Sequence, residues 1–179
     1  MTDLDLTLPE EGDVVDLILD DHRRFETLLR ELRDSTSDRA EVRYVFATLH
    51  VAHSEAEEAE VYPTLRHDDA IDAHEADHGR EEHAEGNKAL LDLLEVDDTG
   101  SDEFDDKLEE LAKLVNHHLT EEELSILNPA REEVGDDERS RLGAAFLKVR
   151  NARIEDGCGT VEYVRRVVQE ARDEGFLDD

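Results

Sequence analysis

Residues 46–63 read Phe46-Ala47-Thr48-Leu49-His50-Val51-Ala52-His53-Ser54-Glu55-Ala56-Glu57-Glu58-Ala59-Glu60-Val61-Tyr62-Pro63. Phe46, Leu49, Ala52 and Ala56 recur at steps of three and four, the period of a helix with one apolar face. His53 interrupts that face and Glu57 follows one turn later. Residues four apart lie on one side of a helix, about 6 Å apart along its axis, so one imidazole and one carboxylate can reach the same cavity. A histidine inside a hydrocarbon row needs something to satisfy it. Pro63 is expected to kink or close the last turn.

The pattern returns further along the chain. Leu108, Leu111 and Val115 lead to His118 and Glu122, with Pro129 beyond. One His-x-x-x-Glu pair is commonplace; two copies in alternate helices, each inward and each followed by proline, are hard to produce by accident. Upstream, the row Ile18, His22, Phe25, Leu29 turns His22 inward. The stretch between the two copies holds His74, His78 and His83. His83 shares the face of Leu90 and Leu94, whereas His78 is turned away from it.

Around these motifs lie four amphipathic stretches: Gly12–Arg33, Asp38–Arg66, Asp69–Val96, and a fourth that begins near Phe104 and reaches Leu127. Short polar breaks at Asp34-Ser35-Thr36-Ser37 and Asp97-Asp98-Thr99-Gly100-Ser101 make neighbours antiparallel. The prediction is an all-α protein: an antiparallel up-down-up-down four-helix bundle over residues 14–129, with additional C-terminal helices. Residues 1–13 form an acidic N-terminal segment, and 130–179 a C-terminal helical extension. Helices near Asp136–Arg150 and Thr160–Glu174 flank a Gly157-Cys158-Gly159 break. They are expected at one end of the bundle or against a second copy, as in a homo-oligomer.

Composition narrows the partners. The 51 Asp and Glu against 20 Lys and Arg give a formal charge of -31, spread along the chain, which repels nucleic acid and anionic membrane. With 37% apolar residues in sustained helical register, such acidity fits a solvated surface suited to high salt better than it fits disorder. Met1 to Asp13 has neither the positive start nor the apolar run of a signal peptide, and no segment has membrane-spanning length, so the expected place is a halophilic cytoplasm. A lone cysteine, Cys158, excludes an internal disulfide and thiolate clusters.

The candidate metal ligands are therefore His22, His53, Glu57, His83, His118 and Glu122. Imidazole with carboxylate suits iron, manganese or zinc, and two bridging carboxylates favour a pair of ions over one. Asp21, His50 and His117 are candidates to stand behind the ligands, as when a carboxylate such as Asp21 accepts an imidazole N–H. Tyr62 reads as packing, Glu55, Glu58, Glu121 and Glu123 as solvated surface, and Cys158 as a loop thiol.

These elements, in order, resemble the hemerythrin-like family of HHE cation-binding domains. The resemblance rests on Asp21-His22-Arg23-Arg24-Phe25, His53-Ser54-Glu55-Ala56-Glu57-Glu58 leading to Val61-Tyr62-Pro63, Glu81-Glu82-His83, and His117-His118 leading to Glu121-Glu122-Glu123 and Pro129. It spans Val14 to Pro129. It implies an oxo- or hydroxo-bridged di-iron centre that binds or senses dioxygen or another small diatomic, or that buffers iron. Oxygen-carrying members have a third-helix His-x-x-x-His, where this chain has Gly79 one turn before His83, and Asp in place of Glu122. Iron–sulfur repair members have an N-terminal cysteine pair, which is missing here.

Rival readings stand beside this one. His74-Glu75-Ala76-Asp77-His78 satisfies His-Glu-x-x-His, the motif of zinc metallohydrolases, and makes His74 and His78 alternative metal ligands. Its neighbours Asp72, Asp77, Gly79 and Arg80 are not those of a buried catalytic helix. A ferritin-like oxidase needs Glu-x-x-His on two helices, and only Glu75 with His78 provides one. A metal-free helical interaction protein would have to face two glutamates together in its core uncompensated.

Overall fold

The computed structural model describes residues 9–178; the expected acidic segment at 1–13 lies outside the described residues up to residue 8. Those described form no strand. Eight α-helices follow in order: α1 (Val14–Arg33), α2 (Arg39–Ala56), α3 (Tyr62–His67), α4 (Ala73–Leu94), α5 (Asp102–Glu122), α6 (Asn128–Glu133), α7 (Asp136–Glu155) and α8 (Val161–Asp173). The starts are chemically marked. Asp13, Asp38, Asp72, Ser101 and Thr160 each accept a first-turn backbone N–H, satisfying donors that a helix end leaves free. None of the described helices is long and apolar enough to cross a membrane.

Helix α1 packs on α2 and α5, and α4 packs on α5 and α2, so these four close a ring. Two apolar clusters fill it. One runs from Phe25 and Leu28 to Phe46, Leu90, Phe104 and Leu111; the other joins Val14 and Ile18 to Val61, Leu65, Ile126 and Phe146. The inward histidines and glutamates form a polar layer between them.

Pro129 does not end its helix as expected, and Pro63, expected to kink or close its last turn, does not close it. Instead the backbone widens into a π turn at Glu57–Val61 and again at Glu123–Leu127, and the helix resumes beyond with Pro63 and Pro129 in its first turn. Tyr62 N–H bonds to Glu57 C=O and Asn128 N–H to Glu123 C=O, each five residues back. The extra residue absorbs the donor that proline lacks and its clash with the preceding turn. The first widening begins at the glutamate of a His-x-x-x-Glu pair, Glu57, and the second one residue after the other, Glu122.

The C-terminal helices depart from expectation too, lying along the flanks of the ring rather than at one end. Helix α7 rests on α1 and α2, and α8 on α4. Two glycines allow the close approach. A Cβ on Gly143 would meet the Gly12 carbonyl oxygen at 2.0 Å, and one on Gly159 would meet Thr48 Oγ1 at 2.2 Å. Cys158 lies in the turn between α7 and α8, as expected of a loop thiol, but it is fully buried and donates to the Thr48 carbonyl at 3.2 Å; burial pushes its pKa up to about 12.

Candidate metal centre

His22 on α1, His53 on α2, Glu57 at the first π turn, His83 on α4, and His118 and Glu122 on α5 are all buried and meet in the polar layer. Two sets of their donor atoms lie within 4.8 Å of one another: His22, His53, Glu57 and Glu122 in one, Glu57, His83 and His118 in the other. Glu57 belongs to both. Its Oε1 lies 3.1 Å from His53 Nε2 and its Oε2 3.2 Å from His83 Nε2. Glu122 Oε2 lies 3.2 Å from His22 Nε2 and 3.6 Å from His118 Nε2.

Each imidazole is held from behind by a carboxylate on the neighbouring helix of the ring. His53 Nδ1 pairs with Asp21 of α1, His83 Nδ1 with Glu58 beside α2, His118 Nδ1 with Glu82 of α4, and His22 Nδ1 with Glu123 after α5, all at 2.9 Å. The four bonds run round the ring in one direction. Every carboxylate is also the chain neighbour of an inward ligand, as in Asp21-His22, Glu57-Glu58, Glu82-His83 and Glu122-Glu123. Asp21 stands where expected. Glu58 and Glu123, expected as solvated surface, are half-buried and orient histidines instead; Glu82 was not anticipated in this role.

With the proton on Nδ1, each Nε2 turns a lone pair inward toward a carboxylate oxygen. His22 Nε2, His53 Nε2, His118 Nε2, both oxygens of Glu57 and Glu122 Oε2 are buried and make no hydrogen bond. Facing acceptors of this kind repel unless a cation lies between them. The donor set therefore fits a metal pair, and in its absence protons take the role. Burial disfavours a charged His53, but Glu57 and Asp21 outweigh it and raise its pKa to about 9. Burial likewise opposes charge on His83, and Glu57 and Glu58 raise it to about 10. Burial alone would raise Glu57, yet His53 and His83 draw it well below the ordinary carboxylate range.

Tyr62, expected as packing, reaches the centre. Its hydroxyl donates to Glu122 Oε1 at 2.8 Å and lies 3.4 Å from His83 Nε2, with its ring stacked on that imidazole. Gly79 makes room for it: a Cβ there would stand 2.9 Å from the phenol ring. The space that a third-helix His-x-x-x-His would occupy is thus filled by tyrosine. Burial and the Glu122 carboxylate push the phenol pKa well above its usual value.

The remaining histidines fall elsewhere. His74 is exposed, and His78, its ring centroid 6.2 Å away, faces Glu81 and Glu82 at 3.8 and 3.7 Å near the surface. Neither joins the buried layer. His50 is buried and stacked on Phe46, and burial beside the other imidazoles lowers its pKa to about 3. His117 is exposed, 3.4 Å from Glu82. Glu55, also expected as solvated, is half-buried, accepting from Tyr163 at 3.0 Å and pairing with Arg153.

Among known proteins, a DNA nickase of Nostoc sp. (strain PCC 7120) is 25% identical over 153 residues, covering 84% of this chain and 42% of that protein. The chain thus spans less than half the length of this curated relative. No solved structure matches it. The family model of the hemerythrin HHE cation-binding domain matches residues 13–130, a span that contains every residue of the buried layer, and the chain belongs to that family.

Proposed function

We propose that the layer holds two iron ions, with manganese or zinc as chemically admissible occupants, and that the protein binds or senses dioxygen or another diatomic, or buffers iron. His22, His53, His83 and His118 are terminal ligands in this reading, and Glu57 and Glu122 bridge. One observation carries it: the inner faces of three histidines and two glutamates are buried without hydrogen bonds, while the outer nitrogen of every histidine is held.

Iron bound there supplies reversible redox change and affinity for small diatomic molecules. The chain supplies the rest. The four outer carboxylates fix each imidazole in the tautomer that presents Nε2. Ile18, Phe25, Leu49, Leu90, Leu94, Leu111 and Val115, all buried, keep bulk water from the layer. Tyr62 holds a proton at its hydroxyl beside Glu122. The test is metal analysis of the purified chain, with optical spectra after anaerobic reduction and re-exposure to air. Two irons per chain and a new near-ultraviolet charge-transfer band support the reading; no metal, or one zinc and a silent spectrum, would overturn it.

The likeness to a DNA nickase favours a second reading, in which this unit holds metal for a DNA-cutting protein. The charge of -31 opposes approach to a polyanion, and we rank it second. Nicking of supercoiled plasmid by metal-loaded protein would reverse that order. We assign the acidic surface to a high-salt cytoplasm, where screening relieves its self-repulsion; a melting temperature that does not rise with KCl would refute this.

A further inference from the structure

Of the four carboxylates that hold histidines, one has a partner unlike the rest. Asp21 is clamped by Arg150 of α7, whose Nε donates to Oδ2 at 2.7 Å and whose Nη2 donates to Oδ1 at 2.6 Å. Asp21 Oδ2 is the same atom that accepts from His53 Nδ1. Arg150 is 0% exposed. One turn earlier on α7, Phe146 meets the His53 ring edge-on at 5.7 Å. The side chains of Glu123 and Glu58, by contrast, are 45% and 31% exposed, and Arg80 comes no nearer to Glu58 than 3.5 Å; Glu82, 9% exposed, has apart from His118 only the side chains of His78 and His117 beside it and no guanidinium.

We propose that Arg150 is a positioning residue of the metal centre: α7, beyond the family-matched segment, orients His53 through Asp21 and makes the two halves of the centre unequal. A bidentate guanidinium fixes both carboxylate oxygens in one plane, which in turn fixes the direction of the His53 N–H bond and the aim of Nε2. It also draws negative charge from Asp21, so His53 is a weaker donor than the histidines backed by carboxylates that no guanidinium clamps. The ion between His22 and His53 is therefore the one that depends on the extension. Burying a guanidinium requires such a fixed partner, and lysine, a point charge, cannot reproduce the fork.

The proposal rests on the two-ion reading above, and the experiment separates the two. The full chain is titrated with Co(II), whose visible absorption reports coordination, as wild type, R150Q and R150K. Wild type is expected to take up two ions. R150Q is expected to keep one and to bind the other at least about tenfold more weakly, with an altered spectrum. R150K retains the buried charge without the fork and is expected to fall between. A wild type that takes up no cobalt sinks the two-ion reading and this proposal with it. R150Q that is folded by circular dichroism and matches wild type in both affinities and in spectrum overturns this proposal alone. If R150Q does not fold, R150K decides in the same way: unchanged affinities and spectrum overturn the proposal, and a weakened second ion supports it.

Discussion

The hydroxyl of Tyr62 donates to Oε1 of Glu122 at 2.8 Å, linking the first residue of α3 to the carboxylate at the end of α5. Tyr62→Phe removes that donor and leaves a buried carboxylate oxygen unpaired. The expected result is a loss of about 1–3 kcal/mol of stability. In the metal-loaded chain, the absorption bands should shift while metal content is unchanged. Gly79→Ala should reproduce the shift, because its new methyl group would displace the ring. Denaturant melts and spectra check this, and identical spectra for all three proteins would leave Tyr62 as packing alone.

The direction of the carboxylate ring predicts which acids matter. Glu58→Gln, Glu82→Gln and Glu123→Gln should each weaken metal binding roughly 10- to 100-fold, since a held imidazole loses its orientation and its basicity. Glu121→Gln, next to Glu122 in the chain but taking no part in these bonds, should bind as wild type does. Metal-competition titrations decide, and equal effects from all four would reduce the ring to general negative charge.

Much of this was legible in the sequence. The inward rows around His22, His53, His83 and His118 announced the helices and the residues that meet in the buried layer, because helical period is a property of one segment of chain at a time. The roles of Glu58, Glu82 and Glu123 were not, although each sits beside an inward ligand. Whether an acid next to Glu57 faces water or a histidine depends on which helix comes alongside, and no local pattern encodes that. Arg150 was hidden for the same reason: its partner Asp21 is 129 residues away. Pro129 misled because the rule that proline ends a helix omits the π turn, which keeps the helix going.

His53→Ala and Glu57→Ala should each lose most of the metal, and His74→Ala should lose none. Glu57 touches His53 and His83 at once, so its removal opens both halves, while His74 is exposed and outside the layer. Metal stoichiometry after gel filtration is the measurement. Comparable loss from His74→Ala would restore the His-Glu-x-x-His reading.

Metal and protons compete for the same inner atoms, and this sets the pH dependence. In the metal-free chain His53 and His83 have pKa values raised to about 9 and about 10. Their stabilising contribution is fully present below the unfolded value near 6.5 and is lost as pH rises through 9 and 10. Glu57 and Asp21, lowered by their histidine and arginine partners, contribute above the ordinary carboxylate range and lose that contribution only in acid. His50, lowered to about 3, adds a separate cost as pH falls below about 6.5, because the unfolded chain takes up its proton first. A chelator-treated sample should therefore melt at progressively lower temperature from pH 6.5 to 9.5. Bound metal takes the place of those protons, so the loaded sample should hold its melting temperature and the gap between the two should widen with pH. Parallel curves over that range would mean that the inner nitrogens do not bind the metal.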